Sequence, residues 1–270
     1  MANFVDVWDV DTFDDDLLKV LLAKRGLVHD YLTTDHEREL ERETSPLTAL
    51  FRINPFADEH QRFVDSVSQT MHERSIRAWH YTRLTDGEVA TLQTAGIHLS
   101  TLESTRQRLA ALVAVGELSV ENAEALLTES PLHDRQQHDA RANQFCLACE
   151  PLHVESGGVT PLLGSWGGEV VYSHLKSPQL KTIVEAIGRP RVLELQVPVD
   201  AIRNGRRAGE VVVTSFARSL GDTRDFDSFD VFVNRALGPE AVLAIHTKGD
   251  ATFDRIGRSY PIAWRPRESS

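Results

Sequence analysis

The run Arg77-Ala78-Trp79-His80-Tyr81-Thr82 constrains this chain more than any other stretch. It is an apolar, aromatic strand that ends on polar groups. A short helical segment follows, and then Gly96-Ile97-His98-Leu99-Ser100-Thr101, a second strand-like run that closes on small hydroxyl residues. Two such strands joined by one helix set hydrogen-bonding side chains at the lip of a pocket. The fold must be built around that lip, and the remaining motifs are read for what else reaches it.

From residue 76 onward, short runs of Val, Ile, Leu and aromatics are bounded by Gly, Pro or Asp, which predicts strands near 77–82, 97–101, 143–149, 169–173, 191–198, 210–216, 229–233 and 241–246. Between the second and third lies a helical insertion at 103–129, its halves Thr105–Val115 and Val120–Leu127 joined by a Gly116 turn in which Ser119 and Asn122 offer capping chemistry. Another helix is expected over 178–187. Ahead of the strands, Asp14-Asp15-Asp16 precedes an apolar stripe that Gly26 would end; residues 34–43 read as a charged helix, and 58–74 as a further one. Strands spaced unevenly by helices predict an α+β domain with a mixed sheet. The expected division is an acidic helical region, 1–75, that caps a body, 76–270, with its helical insertion at 103–140.

At 270 residues and 41% hydrophobic, the chain can bury a sizeable core. Its longest apolar runs, such as Leu109–Val115, fall well short of the roughly 20 residues of a membrane span. No secretory signal is visible at Met1–Asp6, and two cysteines make no disulfide framework, so a cytoplasmic protein is expected, with no membrane partner. The net charge of −11 sits mainly at the front, where residues 1–60 hold fourteen acidic against six basic side chains. A nearly neutral body leaves room for a local basic patch, and nucleic acid stays open as a substrate.

No G-x-G-x-x-G, P-loop, G-x-S-x-G or H-E-x-x-H occurs, so the familiar phosphate cradles, the α/β-hydrolase elbow and the zincin helix are missing. His133, His138, Cys146 and Cys149 are competent zinc ligands at close spacing. On an extended strand, however, residues three apart point to opposite faces, so the two cysteines read as structural and no metal is expected. In Trp166-Gly167-Gly168-Glu169-Val170-Val171-Tyr172, the glycines permit positive φ or close backbone approach next to an aromatic ring and a carboxylate, a pattern that suits a nucleotide site. As a strand it would put Glu169 and Tyr172 on opposite faces. Finally, Ser228–Val233 places Asp230 at the head of a strand, with Gly238-Pro239-Glu240 turning into the last strand.

Taken in order, His80-Tyr81-Thr82, the Gly96–Thr101 run, the Trp166–Tyr172 segment and the Asp230 strand resemble the ADP-ribosyltransferase superfamily over roughly residues 76–246, particularly its bacterial toxin-type, DarT-like branches and relatives with a His-Tyr-Thr start. The resemblance implies a split, mixed β-sheet core and an NAD-dependent glycosyltransferase that moves ADP-ribose to a nucleic acid or protein, as a toxin or phage-defence effector with a neutralising partner. It implies that His80 holds the NAD ribose, with Tyr81, Thr82, Ser100, Trp166, Gly167, Gly168 and Tyr172 around the dinucleotide, Trp166 or Tyr172 stacking on nicotinamide. Asp230 becomes the catalytic acid, one methylene shorter than the family's usual glutamate. Glu169 is its rival, and Glu240 reads as a turn residue. An NAD glycohydrolase and an inactive nucleotide-binding or nucleic-acid-binding module are the alternatives.

Overall fold

A computed structural model describes residues 4–44, 53–221 and 229–258. In chain order its strands are β1 (Phe4–Val5), β2 (Ser75–Leu84), β3 (Phe145–Ala148), β4 (Arg189–Pro198), β5 (Asp230–Val233) and β6 (Val242–Thr247). Its α-helices are α1 (Asp15–Ala23), α2 (Arg25–Thr44), α3 (Ala57–His72), α4 (Asp86–Ala95), α5 (Leu102–Ala114), α6 (Val120–Thr128), α7 (Arg135–Arg141), α8 (Thr160–Gly164), α9 (Glu169–Tyr172), α10 (Pro178–Ala186), α11 (Arg206–Ser219) and α12 (Ala251–Ile256). The class is α+β, around one open sheet of order β5-β3-β2-β4-β6, antiparallel throughout, to which β1 adds a short parallel pair at the start of β2.

One sheet face carries Ile76, Ala78, Leu193, Leu195, Leu147 and Val231 into the main core, where Leu17, Leu21, Val28, Val67 and Met71 of the front helices meet Val212 and Phe216 of α11. The acidic front helices therefore pack against the sheet through that core. On the opposite face Trp79, Tyr81 and Val192 pack under Leu163 and Phe253. The helical insertion forms a third cluster with the 166–187 segment, closed around Trp166. At about 1.5–3 kcal/mol for each large apolar side chain fully buried, these clusters supply the driving force against chain entropy.

Three expected strands are corrected. Residues 210–216 lie within α11: Val211, Val212 and Val213 favour strands locally, but Ala208, Val211, Val212, Ser215 and Phe216 recur at helical spacing and bury one stripe. Gly209 lets that stripe approach α3 closely, since a Cβ there would lie 2.3 Å from the Ser68 hydroxyl. Residues 169–172 form α9, because Gly167 (φ 91°) and Gly168 (φ 68°) reverse the chain before it can extend. The 97–101 run makes one isolated bridge, Ile97 to Leu237, before Thr101 caps α5. Gly26 lies inside α2, and Lys24 ends α1 instead. Ser119 caps α6 as expected, accepting from the Asn122 amide at 3.2 Å. Ser228 lies outside the described residues.

Candidate active site

The two edges of β2 are unequal. Towards β4 it pairs at all ten residues. On the other side it meets β1 at Ser75 and Ile76, and β3 at Trp79 alone. Past that bridge β2 and β3 part, and the His80 imidazole stands in the gap. Its Nδ1 lies 2.8 Å from the Cys146 carbonyl and its ring centroid 4.2 Å from that of Phe145. A carbonyl only accepts, so Nδ1 carries the proton, and in the neutral ring Nε2 is left as an acceptor. Burial pulls the imidazole pKa down to about 4 against the opposing Cys146 bond, with the Arg108 charge adding to the fall. His80 is therefore neutral and accepting near neutral pH.

Next to it, β3 and β5 pair Ala148 with Asp230 and Cys146 with Phe232, which puts Cys146 and Asp230 on one face two residues apart. The Cys146 thiol is pushed up to about 12 by burial first, then by the charges of Asp230 and Glu169. Both carboxylates are thus within electrostatic reach of a single sulfur. Glu169 also acts on Tyr172, whose phenol is raised to about 12 by burial and then by that carboxylate. The helical turn accounts for this: residues 169 and 172 are i and i+3 on α9, so they share a side, where a strand would have separated them. Arg141 of α7 reaches Glu169 at 3.2 Å, whereas Asp230 enters no ion pair among the described residues. Cys146, Asp230, Glu169, Tyr172 and Arg141 make one neighbourhood beside β3, on the sheet face that Trp79 shares. His80 and Phe145 lie by alternation on the other face, and the bond from the His80 ring to the Cys146 carbonyl joins the two sides where β2 and β3 part.

Other expected site residues lie elsewhere or serve as support. Trp166 is wholly buried, so its ring cannot stack on a ligand. Its Nε1 donates to Glu88 at 2.8 Å, and the Arg108 guanidinium lies over its face at 4.7 Å. Glu88 also accepts from Arg108 at 2.8 Å and from the Thr85 amide at 2.9 Å, closing a capping box at the start of α4. Trp166 is thus an anchor that holds Arg108 near His80. Tyr81 points to the opposite face, where its hydroxyl accepts from the Leu152 amide at 2.5 Å and donates to the Leu152 carbonyl at 3.3 Å; burial drives its pKa upward. Thr82 shares the face of His80 but is buried. Ser100 borders the gap through its backbone, which pairs with Asn143 and Gln144 just ahead of β3. Gly167 and Gly168 shape the turn into α9, and Glu240 lies exposed in the Pro239–Ala241 turn.

Alternation separates the cysteines as the sequence requires, with Cys149 in the main core and Cys146 at the surface. His133 is occupied with the Leu127 carbonyl at 3.0 Å, and among the described residues no cluster of three metal-ligating side chains forms. Arg108, Glu88, Phe145 and Arg141 belong to no motif that points to a site. One of them had a legible signal: Thr85-Asp86-Gly87-Glu88, directly after a strand, is a capping-box pattern. No helix among the described residues is long and apolar enough to cross a membrane. Comparison with protein-family models, curated proteins and solved structures gives no match for this chain.

Proposed function

We propose that the protein is an NAD-dependent ADP-ribosyltransferase-like enzyme that works in the gap between β2 and β3. The observations that support this reading most are a neutral, accepting His80 bonded to the Cys146 backbone and, around the side chain of that same Cys146, two carboxylates with the Tyr172 ring beside one of them. Ribose presents hydroxyl donors, and a site of acceptors suits it. His80 Nε2 accepts from a ribose hydroxyl, and Tyr172, half-buried on α9, offers the ring for nicotinamide in place of Trp166.

When the bond between nicotinamide and ribose breaks, its electron pair leaves with neutral nicotinamide and positive charge builds on the sugar. A fixed carboxylate beside that sugar stabilises the charge. The nucleophile of the acceptor then bonds to the anomeric carbon and releases its proton to a carboxylate. Asp230 takes the role of acid, because Glu169 is already neutralised by Arg141. Incubation with NAD carrying a labelled adenylate is the test. Label on a macromolecule together with free nicotinamide supports transfer, nicotinamide without label indicates hydrolysis, and binding with no turnover indicates an inactive module.

A further inference from the structure

The turn Arg203-Asn204-Gly205-Arg206-Arg207 carries three arginines in five residues of a chain whose net charge is −11. All three side chains are exposed. The turn is stapled to β5, the strand that begins with Asp230. The Arg203 amide donates to the Phe232 carbonyl at 2.9 Å, the Asn204 side-chain amide donates to the Asp230 carbonyl at 2.9 Å, and Ile202 bridges Val233. These bonds hold the arginines at a fixed distance from the proposed acid. Arg206 and Arg207 also open α11, the end of a helix where cations are disfavoured by about 0.3–1 kcal/mol each, and no acid stands in that first turn.

Among the described residues, the ion-pair partners of these arginines are weak competitors. Arg206 pairs with Asp65 where both are at least half exposed, and Arg207 reaches Glu210 at 3.7 Å. Arg203 enters no ion pair among the described residues. Surface pairs of this kind are worth about 0–1 kcal/mol, so a phosphate can take their place at little cost. Arginine is also the side chain whose fork matches phosphate oxygens in pairs.

A surface cavity of about 440 Å³ adjoins the turn, lined by Gly205, Arg206, Asp65, Ser68, Gln69 and His72. Its size falls in the range of about 300–1,000 Å³ typical of small-ligand sites. The Gln69 amide both donates and accepts, Asp65 accepts, and His72 adds a ring. A nucleobase edge presents donors and acceptors together and fits that set. The side chains of an acidic peptide accept only, and Asp65 would repel their carboxylates.

We propose that the 203–207 turn and its cavity dock the phosphodiester backbone and one base of a nucleic acid strand, delivering the acceptor to the Asp230 end of the gap. As an acceptor site it rests on the transfer reading; as a binding surface it stands alone. The test is fluorescence anisotropy with a labelled single-stranded DNA of about 20 nucleotides, titrated across about 50–200 mM KCl. Three phosphate contacts predict a log–log salt slope of about −2. Arg203→Ala with Arg207→Ala should weaken binding at least about tenfold and flatten the slope by more than about one unit. Arg203→Lys with Arg207→Lys should keep the slope, which excludes misfolding as the cause. Arg255→Ala, on α12 against β6 at the far edge of the sheet, should match the wild type.

Equal binding by wild type and the double alanine variant, or no binding by the wild type, overturns the surface. Equal binding of a labelled polyglutamate peptide overturns the choice of nucleic acid. Nicotinamide release is measured on the same preparation without DNA. DNA binding without NAD turnover supports the surface while removing the transfer reading.

Discussion

The two edges of β2 make the sharpest contrast in this molecule. On one side ten residues of β2 face ten of β4, and Leu193 and Leu195 carry that ladder into the core. On the other, the strand is held at Ser75, Ile76 and Trp79, and its next residue, His80, has no strand partner on that side and sets its ring on a neighbouring carbonyl. The same ten residues thus supply a scaffold along one edge and a polar gap along the other. A closed edge satisfies backbone groups and gives rigidity; an open one leaves side chains room to meet a ligand. The site is therefore placed where pairing stops.

If that contrast is right, residues that support the gap and residues that act in it should fail differently. The largest effect should come from Trp166→Ala. Removing a wholly buried tryptophan that satisfies Glu88 should cost about 3–5 kcal/mol, read as a lower urea midpoint. A loss below about 1 kcal/mol would show that the anchor is not holding the insertion. His80→Ala should leave the unfolding midpoint close to that of the wild type and abolish NAD turnover, and a fully active variant would remove His80 from the chemistry. Asp230→Asn should slow turnover by at least about 100-fold, some 2.7 kcal/mol of transition-state stabilisation. A larger loss in Glu169→Gln would move the acid to α9.

The smallest effect concerns pH. The pKa of His80 in the folded protein is about 4, below the ordinary imidazole value of 6.5, so the unfolded chain binds the proton more readily. Its stabilisation is complete above pH 6.5 and is lost as pH falls from there through about 4. His80→Gln should have a thermal midpoint that declines less over that window, by a few degrees at most. Parallel curves for the two proteins would contradict the neutral, gap-held ring.

Much of the scaffold was readable from residue types alone. The β2, β3, β4, β5 and β6 runs are short, apolar and bounded by turn formers, and each falls close to its expected place. The paired helices of the insertion do too, because Ser119 and the Gly116 turn divide them in the sequence itself. The valine-rich 210–216 run reads as a strand because β-branched residues favour strands locally, while its helical stripe has meaning only against α3. The 169–172 turn departs from its expected strand for the opposite reason: the glycines are plain in the sequence, but the direction they send the chain is not written in their identity.

The site divides in the same way. His80, Asp230, Glu169 and Tyr172 are nucleophilic, acidic or aromatic residues in conspicuous motifs, and those can be found by eye. Trp166 and Tyr81 look equally conspicuous, yet they are buried supports, and burial depends on packing from the insertion and from the 149–165 segment. Arg108 is one arginine in an ordinary helix. Its importance comes only from Glu88, Trp166 and His80 meeting around it.

The most direct measurement is calorimetric titration of NAD into the wild-type protein and into His80→Ala. Saturable binding by the wild type that weakens at least about tenfold, or 1.4 kcal/mol, in the variant is the predicted result. Equal affinity in the two proteins, or no heat from either, would contradict the placement of a dinucleotide at the open edge of β2.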